Sequence, residues 1–198
     1  WEKSRAGETC AVLLTGEAGV GKSRVLQEIL EIIAIDSQFY SFDFQCSSSH
    51  SRTSLYPVIS QLKAAAGFMS SDSTEIRARK LETLIKQSSS DLEHDMRVFM
   101  DLLSLNPAGG SATAEWDPDT RKQRTIDSLL GNLIAVSDIA PVVISVVVVQ
   151  LIVSCTLELL HRLLVRSAGK PMFIVLTARP ESSPALDLPA RVLTLEVE

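Results

Sequence analysis

The segment G-E-A-G-V-G-K-S, Gly16 to Ser23, follows the apolar run A-V-L-L-T and precedes Val25, Leu26, Ile29, Leu30, Ile32 and Ile33 at helical spacing. A glycine-rich turn between a strand and a helix admits few folds. The spacing G-x-x-x-x-G-K-S is met by Gly16, Gly21, Lys22 and Ser23, and each residue type has a use in holding phosphate. Gly16, Gly19 and Gly21 let the backbone turn tightly where a Cβ would obstruct close approach. Glu17, Ala18 and Val20 lie between them and add main-chain amides to the same turn. The first turn of the helix contributes further unsatisfied amides and the positive end of its dipole. Lys22 is placed to meet the β and γ phosphates, and Ser23 to offer a hydroxyl to magnesium. Arg24 follows directly, either at the rim of the site or as a solvated helix residue. The expected ligand is ATP or ADP, held through its phosphates, with no residue that reads the base. A dinucleotide-binding turn fits less well: the segment meets G-x-x-G-x-G but not G-x-G-x-x-G.

Strand and helix patterns alternate along the rest of the chain. Cys10 to Thr15, Phe39 to Cys46, a Val-rich run from Val142, Met172 to Ala178 and Arg191 to Val197 read as strands. Leu55, Val58, Ile59 and Leu62 share one helical face, and further amphipathic patterns surround Leu81 and Ile85, Met96 and Phe99, and Leu129 and Leu133. Leu157, Leu160, Leu163 and Leu164 form another helix, closed by Gly169. The expected fold class is α/β, a P-loop NTPase three-layer sandwich with a mostly parallel five-stranded sheet and an inserted helical region. One domain over residues 1–198 is expected, cut from a larger multidomain protein. The strand from Val142 to Val149 is expected at the sheet centre with the first strand as a neighbour.

The uncharged run Ile139 to Leu157 raises the question of a membrane span. Pro141, the polar Ser145, Gln150 and Ser154, and the density of Val favour a buried parallel strand instead, because such strands read as continuous apolar runs. A cytoplasmic chain without a membrane segment is expected. Cys10, Cys46 and Cys155 are isolated, without disulfide or zinc spacing, and His50, His94 and His161 share no metal spacing. The net charge of −5 gives no support to a nucleic-acid-binding surface.

The same Val-rich strand lacks the acids that a phosphate-loop hydrolase carries there. An Asp at that strand end usually fixes the magnesium shell, and a nearby acid prepares the attacking water. Here the end reads Val147, Val148, Val149, Gln150. Gln150 can orient a water but cannot take its proton. Asp43, Asp138 and Glu158 are the stand-ins to weigh, each against an ordinary solvated or capping carboxylate. Arg179, after the strand ending Thr177-Ala178, is a candidate to sense the γ phosphate, against a surface arginine beside a turn proline.

Several segments in order carry a wider likeness: L-L-T-G-E-A-G-V-G-K-S-R from Leu13, S-L-Y-P-V-I-S-Q-L from Ser54, K-Q-R-T-I-D-S-L-L from Lys122, T-L-E-L-L from Thr156 and V-L-T-A-R-P-E from Val175. Together they resemble the AAA-type, STAND-like ATPase module of large bacterial signalling proteins, found behind adenylate/guanylate cyclase domains and in LuxR-like transcriptional regulators. The resemblance implies a signal-transduction ATPase, a nucleotide-gated switch. It also implies neighbouring domains of the same polypeptide as partners: a cyclase catalytic domain, tetratricopeptide repeats or a DNA-binding domain. By position, Val147 and Val148 stand where the family carries Glu-Asp, Gln150 and Leu151 where it carries His-Trp, and Val153 where it carries a later Asp. Three functions follow: an ATP-binding regulatory module with weak or absent hydrolysis and weak magnesium binding, a competent magnesium-dependent ATPase using a displaced acid, or an interdomain scaffold with a vestigial loop.

Overall fold

The computed structural model describes residues 1–36, 38–46, 54–106, 110–111, 113–147, 154–182 and 192–198. The chain divides into two compact units, one of Trp1–Pro57 with Ser137–Glu198, the other of Val58–Val136.

The first unit holds the sheet. Its strands are β1 (Cys10–Thr15), β2 (Tyr40–Gln45), β3 (Val142–Val147), β4 (Met172–Ala178) and β5 (Val192–Glu196). They lie in the order β2-β3-β4-β1-β5, and every pairing is parallel. Parallel strands need crossovers, and right-handed ones fix which face each helix covers. Helix α2 (Lys22–Asp36) links β1 to β2 in one direction across the sheet, whereas α7 (Ser154–Arg166) links β3 to β4 in the other. The two helices therefore cover opposite faces, giving three layers. Leu14, Val143, Phe173 and Val175 form one inner face with Leu26 and Ile33 of α2. The alternate residues Leu13, Ile144, Val146, Ile174 and Leu176 are buried on the other, as are Leu159, Leu160, Leu163 and Leu164 of α7. All of β4 is buried, as is β3 up to Val146, whereas β2 and β5 are largely exposed sheet edges.

The sheet order corrects one expectation. β3 is an interior strand next to the β2 edge, β4 holds the centre, and β4 separates β3 from β1. Hydropathy could not reveal this, since β3 and β4 are both continuous apolar runs and either could fill the slot beside β1. The apolar stretch from Ile139 is likewise divided: helix α6 (Pro118–Ile139) ends at Ile139, β3 spans Val142–Val147 and α7 begins at Ser154. Among the described residues no helix is long and apolar enough to cross a membrane.

A short helix, α1 (Glu2–Arg5), escaped the periodicity reading because four residues carry no period. Trp1 before it packs edge-on against Phe39 and Phe173 and joins the α2-face cluster.

The second unit is helical. It contains most of α3 (Tyr56–Ala65), then α4 (Thr74–Ile85), α5 (Leu92–Leu102) and all but the last turn of α6 (Pro118–Ile139). Ser73 and Asp91 cap α4 and α5 by accepting from the amides of Ile76 and His94. Leu81, Ile85, Val98, Phe99, Ile126 and Leu130 supply its core. Beside them Asp95 is buried but satisfied, accepting from Ser89 Oγ at 2.7 Å and Asn132 Nδ2 at 2.9 Å.

Candidate functional site: the phosphate loop

β1 ends at Thr15 and the loop begins at once with Gly16, buried and at φ 157°. Gly19 and Gly21 follow at φ 87° and 107°, a region L side chains rarely occupy, and a Cβ at either would meet open space. Their glycine is therefore required by conformation. Gly16 is required by crowding: a Cβ there would lie 2.5 Å from the carbonyl oxygen of Val197 and 2.9 Å from Val20 Cγ1. Thus the first glycine of the motif answers to the strand beside it as well as to any ligand.

Helix α2 starts at Lys22, and Arg24 and Val25 already donate their amides to Gly21 O at 2.9 and 3.0 Å. The loop's own amides lie ahead of this turn, where a helix supplies positive potential. The Val20 amide donates to Glu17 O at 3.4 Å, which shapes the turn. Lys22 Nζ donates to Gly16 O at 2.6 Å and Glu17 O at 2.7 Å. Its ammonium thus lies over the concave side of the loop, between the strand end and the helix start. Glu17, Ala18, Gly19 and Ser23 are exposed, and the Ser23 hydroxyl sits in the first turn of α2. Arg24 Nε pairs with Glu28 at 3.1 Å on the outer face of the helix, with 84% of its side chain exposed. That contact points Arg24 along α2 as a solvated residue.

The other strand ends converge on this loop by register. Thr15 pairs with Ala178, so Arg179 leaves β4 at the level where Gly16 leaves β1. Its guanidinium is half exposed and only 3.9 Å from Glu181, a loose ion pair that leaves it able to turn. Val147, the last residue of β3, pairs with Gln45 and packs against the cluster of Leu14, Leu26, Val143 and Val175. Its side chain therefore lies on the α2 face, the face from which Ser23 rises. Val148, Gln150, Leu151 and Val153 lie outside the described residues.

The stand-in acids are placed differently. Asp43 lies on β2, three strands from β1 and hence about 14 Å away across the sheet. It accepts from Ser145 Oγ at 2.7 Å and Gln45 Nε2 at 2.7 Å. Asp138 lies in the last turn of α6, ahead of β3, and pairs with Lys170 Nζ at 2.6 Å, ahead of β4. In a parallel sheet that is the amino end, a strand length of about 20 Å from the loop. Glu158 lies one turn into α7 and accepts from Arg162 Nη2 at 2.6 Å. Of the three, only Glu158 is on an element that starts at the carboxyl end of the sheet. Among the described residues no group of three His, Cys, Asp or Glu side chains is placed to hold a metal.

Sequence reasoning missed Thr15 and Val197, which border the loop. The Val197 amide donates to Thr15 O at 2.7 Å, and Thr15 Oγ1 donates to Leu195 O at 3.4 Å. No motif marks them, because the contact is made between main chains distant in sequence. Cys46, which directly follows β2, is buried, and burial pushes its thiol up to about 11.

Residues 1–176 match the family model described as the AAA ATPase domain. An uncharacterized protein of Rhizobium meliloti (strain 1021) is 29% identical over 184 residues, covering 91% of this chain and 17% of that protein. The chain thus spans about a sixth of the length of that relative. With a matching family model over most of its length and the loop, helix and parallel sheet in place, the chain belongs to the AAA ATPase domain family.

Proposed function

We propose that the chain is an ATP-binding regulatory module of the STAND-like kind, a nucleotide-gated switch in which hydrolysis is weak or absent. The observation that carries this reading is the contrast between the two strand ends. At β1 the loop is complete, with Lys22 poised over it. At β3 the first of the two positions where such a family carries an acidic pair is Val147, which packs into the apolar cluster under α2, and the second is Val148. The described residues fit the phosphates of a nucleotide through the loop amides and Lys22. They fit magnesium poorly, since Ser23 offers one hydroxyl and the facing strand offers an alkyl group.

In this reading ATP or ADP binds through its phosphates, displacing the Lys22 ammonium from the loop carbonyls. Arg179, free to turn at the end of β4, reports the γ phosphate. Neighbouring domains of the same polypeptide, of the cyclase, tetratricopeptide-repeat or DNA-binding kind, receive the change in a cytoplasmic signalling protein. Support for such neighbours comes from the ordered segments of likeness and from the greater length of the Rhizobium meliloti relative.

Titration calorimetry with ATP and ADP, with and without magnesium, tests the reading alongside phosphate release. The expected result is nucleotide binding that changes little with magnesium, and turnover far below that of an ordinary phosphate-loop ATPase. Absence of binding would leave the scaffold reading. Robust magnesium-dependent turnover that disappears in Lys22→Ala would replace the switch by a competent ATPase and direct attention to Glu158.

A further inference from the structure

The last turn of the β1–β5 ladder is also the first contact of the phosphate loop. Val197 donates its amide to Thr15 O at 2.7 Å, one residue before Gly16. Its carbonyl oxygen then lies where a side chain on Gly16 would begin, 2.5 Å from an ideal Cβ. The Gly16 carbonyl in turn accepts from Lys22 Nζ at 2.6 Å. Val20, the other residue against Gly16, is part of the loop itself. The Val197 side chain adds to the cluster beneath α2, so both its main chain and its side chain are anchored.

The geometry points to Val197 as a positioning residue for nucleotide binding: its main chain sets where Gly16 lies, and through Gly16 O where the Lys22 ammonium rests. Val197 touches no phosphate. It acts by denying Gly16 the space to relax toward β5, which keeps the loop's amides turned toward the ligand side. Because binding energies are linked reciprocally, a loop that tightens on phosphate must also hold Val197 more firmly. The segment leaving β5 is therefore coupled to the state of the loop. This rests on the loop binding nucleotide, as proposed above, for its functional consequence, but the mechanical link can be read without any ligand.

Two substitutions in the intact chain separate main chain from side chain. Val197→Pro removes the amide that bonds Thr15 O, whereas Val197→Ala keeps it and trims only the apolar contact. Hydrogen exchange of peptides covering 13–24 and 192–198 reads the link directly, and calorimetry with ADP reads its consequence. Val197→Pro is expected to raise exchange in 13–24 while leaving β3 and β4 protected, and to weaken ADP about three- to tenfold, the loss of one main-chain hydrogen bond. Val197→Ala should restore most of both. Unchanged loop exchange in a folded Val197→Pro chain would overturn the positioning role, as would raised exchange with unaltered ADP affinity. If Val197→Pro does not fold, ADP on the wild type should lower exchange in 192–198, and no change there would overturn it equally. A wild type that binds no ADP would sink the nucleotide reading; raised loop exchange in Val197→Pro would then still support the mechanical link, and unchanged exchange would end it.

Discussion

Lys22 turns its ammonium onto two carbonyls of its own loop, at 2.6 and 2.7 Å, and in the proposed reading a phosphate competes for it. A charged partner of this kind contributes about 1.5–3 kcal/mol. Lys22→Ala is expected to weaken ATP and ADP by about tenfold or more in titration calorimetry; equal affinity would remove the loop from the site. Gly16→Ala should be costlier to the fold than Gly19→Ala of the same loop. The first forces a Cβ against the Val197 main chain, which cannot swing aside, while the second meets open space and bears only the strain of its positive φ. Thermal denaturation of the two variants checks this order. Cys46 gives a chemical readout at the same scale. With its thiol pushed up to about 11 by burial, it holds little thiolate at pH 8, so iodoacetamide should label it slowly until denaturant exposes it. Rapid labelling of native protein at Cys46 would contradict its placement behind β2.

In the proposed reading, strand β3 is where the chain departs from a hydrolase. Its pairing runs to Val146 against β4 and to Val147 against β2, and Cys46 N still donates to Val147 O at 3.2 Å. The backbone that would present an acid is therefore in place, and the side chain is what differs. Val147→Glu with Val148→Asp should give measurable phosphate release, since general-base assistance alone contributes about 10²–10⁴-fold. Against this stands the cost of placing a carboxylate among Leu14, Leu26 and Val175, which falls on stability. Melting temperature and turnover should be read together. A folded double variant without turnover would mean that the acids alone do not account for the weak hydrolysis proposed, and Gln150, Leu151 and Val153 are the next positions to change. The edge strand β2 carries its own acid, Asp43, but that carboxylate is engaged by Ser145 and Gln45 and stands a strand beyond β3. Its substitution by Asn should leave nucleotide affinity unchanged.

Two cores coexist in one chain, one around the sheet and one around the helices of residues 58–136. Each is built of fully buried aliphatic groups, Ile144 and Ile174 in the first, Leu130 and Leu81 in the second. Truncating such a residue costs about 2–5 kcal/mol. If the units open separately, Leu130→Ala should raise hydrogen exchange in α4, α5 and α6 well before the strands respond, and Ile174→Ala the reverse. Equal loosening of both units by either variant would show a single cooperative body.

The loop was legible in the sequence because its chemistry is local: eight consecutive residues fix the turn, the helix start and the cation. The same holds for β3 and β4, whose unbroken apolar runs announce strands covered on both faces. The order of the strands was not legible, since two equally apolar runs compete for the place beside β1 and only the packing of the whole sheet decides between them. The distances from the loop to Asp43 and Asp138 follow from that order and were hidden with it. Trp1 and Val197 were hidden for a related reason. Each acts through contacts with residues far away in sequence, Trp1 against Phe173 and Val197 against Gly16. A residue's type fixes what it can offer, but which surface receives it is settled only when the sheet has closed around it.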